Sequence, residues 1–302
     1  MKDLFRHMPG GGPGGLFRGR QVPTDMWQRC DRCHELTYTR EWESNFKVCP
    51  RCGYHAPLST DERVAQLVDE GSFEPLDEEM RSSDPLHFAP EGRESYTAKL
   101  ERETERSKMV EACTYGRGAL DSIPVVLAVL DMRFFVGTMG AVVGEKIARA
   151  CELAIRERRP LITVSASGGA RQQEGVIALL QMAKTAAAVR RVGAARLPYV
   201  SILTDPTFGG VTASYATLGD CIIAEPGAVI GFAGRHIIEQ ATGEKVPPDT
   251  GTAEFQLRHG MVDLVVPRRE MRDVVGRILR LHMDAVGAAR PQAHSAELIA
   301  AG

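Results

Sequence analysis

Four cysteines and three glycine-rich turns are the residues in this chain whose spacing could do chemistry. Cys30-x2-Cys33 is followed, fifteen residues later, by Cys49-x2-Cys52. Each C-x-x-C sets two thiolates on one tight turn, and two such turns complete a tetrahedron around Zn2+. Gly53 follows the second pair, where the turn calls for a positive φ. Sulfur fills all four positions, which leaves none for water or substrate, so the expected metal is one structural zinc. Metal binding of that kind contributes on the order of 10 kcal/mol to folding, enough to hold a ribbon too small for its own core. His34 and His55 lie nearby and are read as solvated or supporting groups, not ligands.

The glycines recur in matched settings. S-A-S-G-G-A-R-Q-Q-E (165–174) and T-D-P-T-F-G-G (204–210) each follow an apolar run and precede a helical pattern. F-F-V-G-T-M-G-A-V-V-G (134–144) adds a third such turn, with Gly137 and Gly140. Glycine lets a ligand approach the backbone, and the N–H groups that open a helix are unpaired. An anionic oxygen held there gains about 3 kcal/mol from one such donor. The same glycines could serve only tight turns and close helix–sheet packing, and the residues alone leave both readings open.

Other catalytic text is missing. There is no G-x-x-x-x-G-K-[ST] phosphate loop, no G-x-S-x-G elbow and no H-E-x-x-H. The G-x-G-x-x-G-like text lies in the Gly-Pro stretch 9–15, where no strand precedes it. None of the eight histidines stands within a few residues of Gly168-Gly169 or Gly209-Gly210, so a Ser-His-Asp triad has no local support.

The elements that must position these residues follow from periodicity. Strands are expected at 123–131, 161–166, 199–204, 221–224, 228–232 and 262–266. Helices are expected near 60–71, 95–106, 141–158, 171–191, 211–218, 234–240, 252–259 and 268–285. In the third of these, Val143, Ile147, Ala150, Cys151 and Ala154 form one apolar face. In the fourth, Val176, Leu179, Leu180, Ala183 and Ala187 do the same. Short apolar strands alternating with amphipathic helices argue an α/β domain with largely parallel strands.

The 302 residues suffice for a large domain plus a small one, or for two domains. The net charge of −2 gives no global bias toward nucleic acid or an anionic membrane. Within the ribbon, Arg29, Arg32, Arg40, Lys47 and Arg51 face Asp31, Glu35, Glu41 and Glu43, which is no basic stripe. A docking or lid role for the ribbon is therefore favoured over nucleic-acid binding. No apolar run approaches a membrane span, and the N-terminus lacks the core of a signal peptide. The expected location is cytoplasmic, where clustered cysteines bind metal and Cys113, Cys151 and Cys221 remain buried thiols.

From Trp27 to about residue 285 the chain resembles the β subunits of bacterial acetyl-coenzyme A carboxylase carboxyltransferases. The resemblance is carried by C-D-R-C…C-P-R-C, G-T-M-G-A-V-V-G-E-K, S-A-S-G-G-A-R-Q-Q-E, Q-M-A-K-T, L-P-Y-V-S-I-L-T-D-P-T-F-G-G-V-T-A-S, I-A-E-P-G-A-V-I-G-F-A-G and I-I-E-Q. It implies a crotonase-like α/β fold, a spiral of ββα units, with the N-terminal zinc ribbon appended. The organisation implied is a tail at 1–25, the ribbon at 26–57, a carboxyltransferase domain at 58–286 and a tail at 287–302. Transfer of a carboxyl group from carboxybiotin to acetyl-CoA is the implied reaction, giving malonyl-CoA for fatty acid synthesis. Implied partners are a carboxyltransferase α subunit in an α2β2 assembly, the biotin carboxyl carrier protein and a separate ATP-using biotin carboxylase. Biotin arrives on the carrier, and its ureide anion serves as the base, which accounts for the missing catalytic side chain. By motif, the resemblance assigns Gly209 and Gly210 as oxyanion donors, and Gly168, Gly169, Gly137 and Gly140 to the CoA-thioester pocket.

One departure stands out. The family pattern G-F-A-G-P-R-x-I-E-Q reads G-F-A-G-R-H-I-I-E-Q here, with Arg235 one position early and His236 after it. Two competing functions remain: a stand-alone acyl-CoA hydratase or decarboxylase of the same fold, and a zinc-ribbon nucleic-acid binder. A hydratase needs paired carboxylates, for which Glu174 and Asp205 are the acids nearest the glycine pairs.

Overall fold

The computed structural model describes residues 26–288, with side chains described as far as His282. The tail expected at 1–25, and all but the first two residues of that at 287–302, lie outside the described residues. The ribbon pairs β1 (Trp27–Arg29) with β2 (Leu36–Tyr38), followed by α1 (Thr39–Ser44). Trp42, Cys30, Cys49 and Ala56 form its small interior. Next comes α2 (Thr60–Leu67), opened by a capping box in which Ser59 and Glu62 satisfy each other's N–H groups. This helix stops short of the expected Gly71, because Val68 turns extended and buries against the main sheet. β3 (Glu74–Leu76) and α3 (Tyr96–Ser107) complete the approach to that sheet.

The main sheet contains β4 (Cys113–Leu120), β5 (Ile123–Leu130), β6 (Leu161–Ser167), β7 (Tyr199–Phe208), β8 (Cys221–Ala224) and β10 (Leu264–Val265). Its order is β10-β8-β7-β6-β5-β4-β3, antiparallel from β3 to β5 and parallel from β5 to β10. β4 was not among the expected strands. Its text, C-T-Y-G-R-G-A-L, has two glycines and an arginine where a strand pattern needs side chains. It forms because Asp121 and Ser122 both take positive φ, making a two-residue hairpin back into β5.

β5 shows how the core divides. Val126, Ala128 and Leu130 face α4 (Ala141–Glu157) and α5 (Gly175–Ala194), while Val125, Leu127 and Val129 face α2 and α9 (Met271–Ala288). Alternation with period two thus buries both faces of one strand. Cys113 and Cys151 are buried as expected, and Cys221 is half-buried.

Each main strand from β5 to β8 runs on into a short second tier before its helix. Met139 pairs with Ala170, Ser167 with Thr207, and Thr207–Phe208 with β9 (Ile230–Gly231). The helices α4, α5, α6 (Gly209–Thr212) and α7 (Arg235–Thr242) follow in turn. This is the strand, short strand, helix repeat of a ββα spiral. α8 (Ala253–Arg258) leads to β10. The repeat places every glycine turn at the same level, where second-tier strand passes into helix.

Candidate active site

β7 does not end at Thr204 as expected but continues through T-D-P-T-F to Phe208, and α6 starts on the glycine pair itself. Gly209 has φ +57° and Gly169 has φ +116°. A Cβ on Gly209 would lie 2.9 Å from Gly169 Cα. Gly169 and Gly209, one from each pair, therefore meet backbone to backbone, a contact that a side chain on Gly209 would prevent.

Most of their N–H groups are already engaged. Gly168 N–H donates to Val136 O (2.8 Å), Gly169 N–H to Ser167 Oγ (3.0 Å) and Gly209 N–H to Phe232 O (3.0 Å). Gly210 N–H belongs to the first turn of α6, whose donors have no intrahelical partner. Outside that helix, no acceptor among the described residues takes it. Gly137 and Gly140 are closed in by packing. A Cβ on Gly137 (φ +64°) would sit 2.1 Å from Ala166 O, and one on Gly140 would sit 2.5 Å from Glu174 Oε1.

A buried ionic cluster braces these turns. Arg171, fully buried, donates to both oxygens of Glu111 (2.8 and 2.5 Å) and to Thr138 O (2.8 Å). Glu174 accepts from Tyr96 Oη–H (2.6 Å), Ser82 Oγ–H (3.1 Å) and Ala141 N–H (2.5 Å). That last contact sets a carboxylate on the opening turn of α4. Asp205 accepts from Val229 N–H (2.9 Å), and burial pushes its pKa up. Each acid thus holds its own piece of backbone.

The four cysteines come together with all Sγ atoms within 4.8 Å of one another. Two edges, Cys30–Cys52 and Cys33–Cys49, are 3.7 Å. A tetrahedral ion with bonds of ~2.3 Å to sulfur requires edges of ~3.8 Å, so the donor set fits a metal. Gly53 has φ +70° and donates to Cys49 O, as the spacing requires; His34 (φ +59°) does the same to Cys30 O.

Arg268 locks the ribbon to the domain. Its guanidinium donates to Phe46 O (2.6 Å) and Ala56 O (2.9 Å), and to both oxygens of Glu225 (2.8 and 2.6 Å). Arg63 shares Glu225 (2.5 and 3.1 Å). Burial alone would raise the Glu225 pKa, but the two guanidiniums outweigh it and hold the carboxyl well below its usual range. His55 is buried, with Nδ1 3.0 Å from Gly53 O and Nε2 3.3 Å from Arg268 N. A carbonyl can only accept, so Nδ1 carries the proton and Nε2 accepts from Arg268 N–H.

The carboxyl transferase domain family matches residues 58–271. The acetyl-coenzyme A carboxylase carboxyl transferase subunit beta of Synechococcus sp. (strain JA-3-3Ab) is 48% identical over 264 residues, 87% of this chain and 83% of that protein. The chain belongs to the acetyl-coenzyme A carboxylase carboxyl transferase β-subunit family. A Pseudomonas malonate decarboxylase hetero-tetramer, solved in complex with malonate, matches with a TM-score of 0.61 and 26% identity, over 75% of this chain and 82% of that one. The transcarboxylase 12S structure, solved with methylmalonyl-coenzyme A and methylmalonic acid bound, shares the fold at a TM-score of 0.63 and 22% identity, over 80% of this chain and 42% of that one.

One apolar surface of this carboxyl transferase β-subunit family member is left uncovered. The α5 face expected to be buried is exposed: Val176 is 62% accessible, Leu179 51% and Leu180 61%. Ala178, Ala188, Val189 and Val192 turn inward instead. Phe232 and Ile237 are exposed as well, and α7 has no buried residue. Arg235 opens α7 and lies 3.9 Å from Glu239 one turn on. Among the described residues, no helix is long and apolar enough to cross a membrane. Sequence reasoning missed the Arg171–Glu111–Glu174 and Arg63–Glu225–Arg268 clusters. The available signal was ionisable residues inside apolar text, such as I-A-E-P-G and V-V-P-R-R.

Proposed function

We propose that this β subunit binds acetyl-CoA and that its glycine seam stabilises the thioester enolate while carboxybiotin delivers the carboxyl group. The carrying observation is the seam itself: two glycine pairs in backbone contact, with the N–H of Gly210 unspent. In the transfer, the N–carboxyl bond of carboxybiotin breaks, the acetyl methyl group loses a proton, and a new C–C bond forms. Negative charge develops on the thioester oxygen, where a preformed donor in a dry site acts most strongly. Gly210 N–H is assigned as that donor. Gly209 gives the turn its left-handed φ and close approach, while Gly168 and Gly169 form the opposing wall. Biotin, arriving on its carrier protein, supplies the proton acceptor.

The cysteine ribbon holds one structural Zn2+, supported by its four-sulfur geometry. The α subunit covers the apolar face of α5, supported by three exposed aliphatic side chains on one side of one helix. The test is carboxyl transfer from malonyl-CoA to biocytin. This chain alone should be inactive, and activity should appear on mixing with its α subunit. Full activity of the lone chain, or none in the mixture, would overturn the reading.

A further inference from the structure

We propose that the cleft between α3 and the Phe135–Thr138 turn receives the phosphate groups of the coenzyme A thioester, with Lys99, Arg102 and Arg106 as counter-charges. This rests on the reading of the chain as the acyl-CoA-binding subunit. The cleft has a volume of about 420 Å³, and its walls include those three side chains together with Val136, Gly168 and Ala170. That volume is within the range of small-molecule sites. The basic residues stand at i, i+3 and i+7 of α3, which puts them on one face.

The charges around the cleft do not cancel. Glu103 is shared between Arg102 and Arg106, and Glu94 takes a second contact from Arg102. Lys99 has no carboxylate partner among the described residues; its ammonium lies 5.3 Å from the centre of the Phe135 ring. Three cations against two carboxylates leave the site positive before any ligand arrives, and a phosphorylated ligand brings several negative charges.

The floor joins this charge to the glycine seam. Phe135, Val136 and Gly137 take φ of 45°, 54° and 64° in succession, and Val136 remains exposed. A β-branched residue there is a backbone outlier that persists only where its surroundings enforce it. Gly168 N–H enforces it through Val136 O (2.8 Å). Gly168 therefore lines the cleft while its neighbour Gly169 lies against Gly209. A ligand with its thioester at the seam and its charged end on α3 follows one continuous wall. An acidic segment of a protein partner is the competing occupant, but a concave cleft abutting the reactive site favours the substrate's own tail.

The test uses the assembled complex with its α subunit and the double variant Lys99→Ala/Arg102→Ala, which leaves the Arg106–Glu103 pair in place. Carboxyl transfer to biocytin is measured with malonyl-CoA and with malonyl-pantetheine, which keeps the thioester but lacks the nucleotide phosphates. The expected result is a KM for malonyl-CoA raised about tenfold, with the malonyl-pantetheine KM changed less than about twofold. Lysine and arginine exchanged at these positions (Lys99→Arg/Arg102→Lys) should restore most of the loss. Equal effects on both thioesters, or no effect on either, overturn the proposal. So does a defect seen only with biotin on its carrier protein, which assigns the surface to an acidic partner. If the wild-type complex transfers carboxyl from neither thioester, the function itself fails; if it does and the variant is indifferent, only the cleft assignment fails.

Discussion

Gly209 takes a left-handed φ and lies against Gly169, so Gly209→Ala meets two penalties. The φ costs roughly 1–2 kcal/mol in any L-residue. The added Cβ then forces the Gly169 backbone away. Thermal unfolding should shift down, and turnover in the mixed complex should fall by about 10²-fold or more. Gly193 is the control: it lies exposed near the end of α5, where a Cβ meets nothing within 4 Å. Gly193→Ala should add about 0.5–1 kcal/mol of stability and leave activity alone. Gly210 separates the donor from the space. Gly210→Ala keeps the N–H and crowds only the flexible ends of Met182 and Met139, whereas Gly210→Pro deletes it. If Gly210→Pro is no slower than Gly210→Ala, this N–H is not the oxyanion donor. The motifs made all six glycines visible in the sequence. Which N–H groups were already spent was not, because Phe232 and Val136 are brought to Gly209 and Gly168 only once the second tier has formed.

Helix α5 shows what periodicity can and cannot say. An i, i+3, i+4 pattern finds an apolar stripe, but not what covers it. Here the stripe of Val176, Leu179 and Leu180 faces outward, while small residues on the other side let α5 pack tightly on α4. Gly144 of α4 is part of that fit, since a Cβ there would sit 2.2 Å from Gln181 Oε1. Leu179→Asp/Leu180→Asp should therefore leave the isolated chain folded, by circular dichroism and thermal unfolding, but abolish association with the α subunit and with it activity. Retained association in gel filtration would move the interface elsewhere. The ribbon is the opposite case, because the spacing of its cysteines was enough to specify it. Its interior is too small to fold alone, so chelation should unfold it. Both tryptophans of the chain, Trp27 and Trp42, lie in the ribbon. Metal removal should redshift tryptophan emission with little loss of helical circular dichroism, and elemental analysis should find one zinc per chain.

At the scale of the molecule, ribbon and domain are one body because Arg268 bonds to both, and that junction was illegible in the sequence. Apolar text around Glu225 and Arg268 hints at burial, but they and Arg63 are far apart along the chain, and no local pattern says that the three meet. The junction is also expected to respond to pH. Burial, reinforced by Arg268, lowers the His55 pKa below its ordinary value, although Glu225 opposes this. A depressed histidine contributes stability in its neutral form, present above about pH 6.5 and lost as pH falls. Protonation would put a second proton where Nε2 accepts from Arg268 N–H. Glu225, also held below its ordinary pKa, contributes stability that is lost only at lower pH, below about 4.3. Tryptophan emission should therefore report loosening of the ribbon as pH falls below about 6.5, before the domain itself unfolds. His55→Gln should flatten that first stage and leave the more acidic one. A wild-type profile that is flat over that window would mean that His55 does not couple the two parts. Glu225→Gln removes the shared anion and leaves two buried guanidiniums uncompensated, so it should cost about 3–5 kcal/mol at neutral pH. Arg268→Met deletes one of those charges together with its contacts to Phe46 and Ala56. Arg63 still balances Glu225 in that variant, so the domain should hold while the ribbon loosens at every pH. The two variants thus separate the stability of the buried ion cluster from the docking it supports.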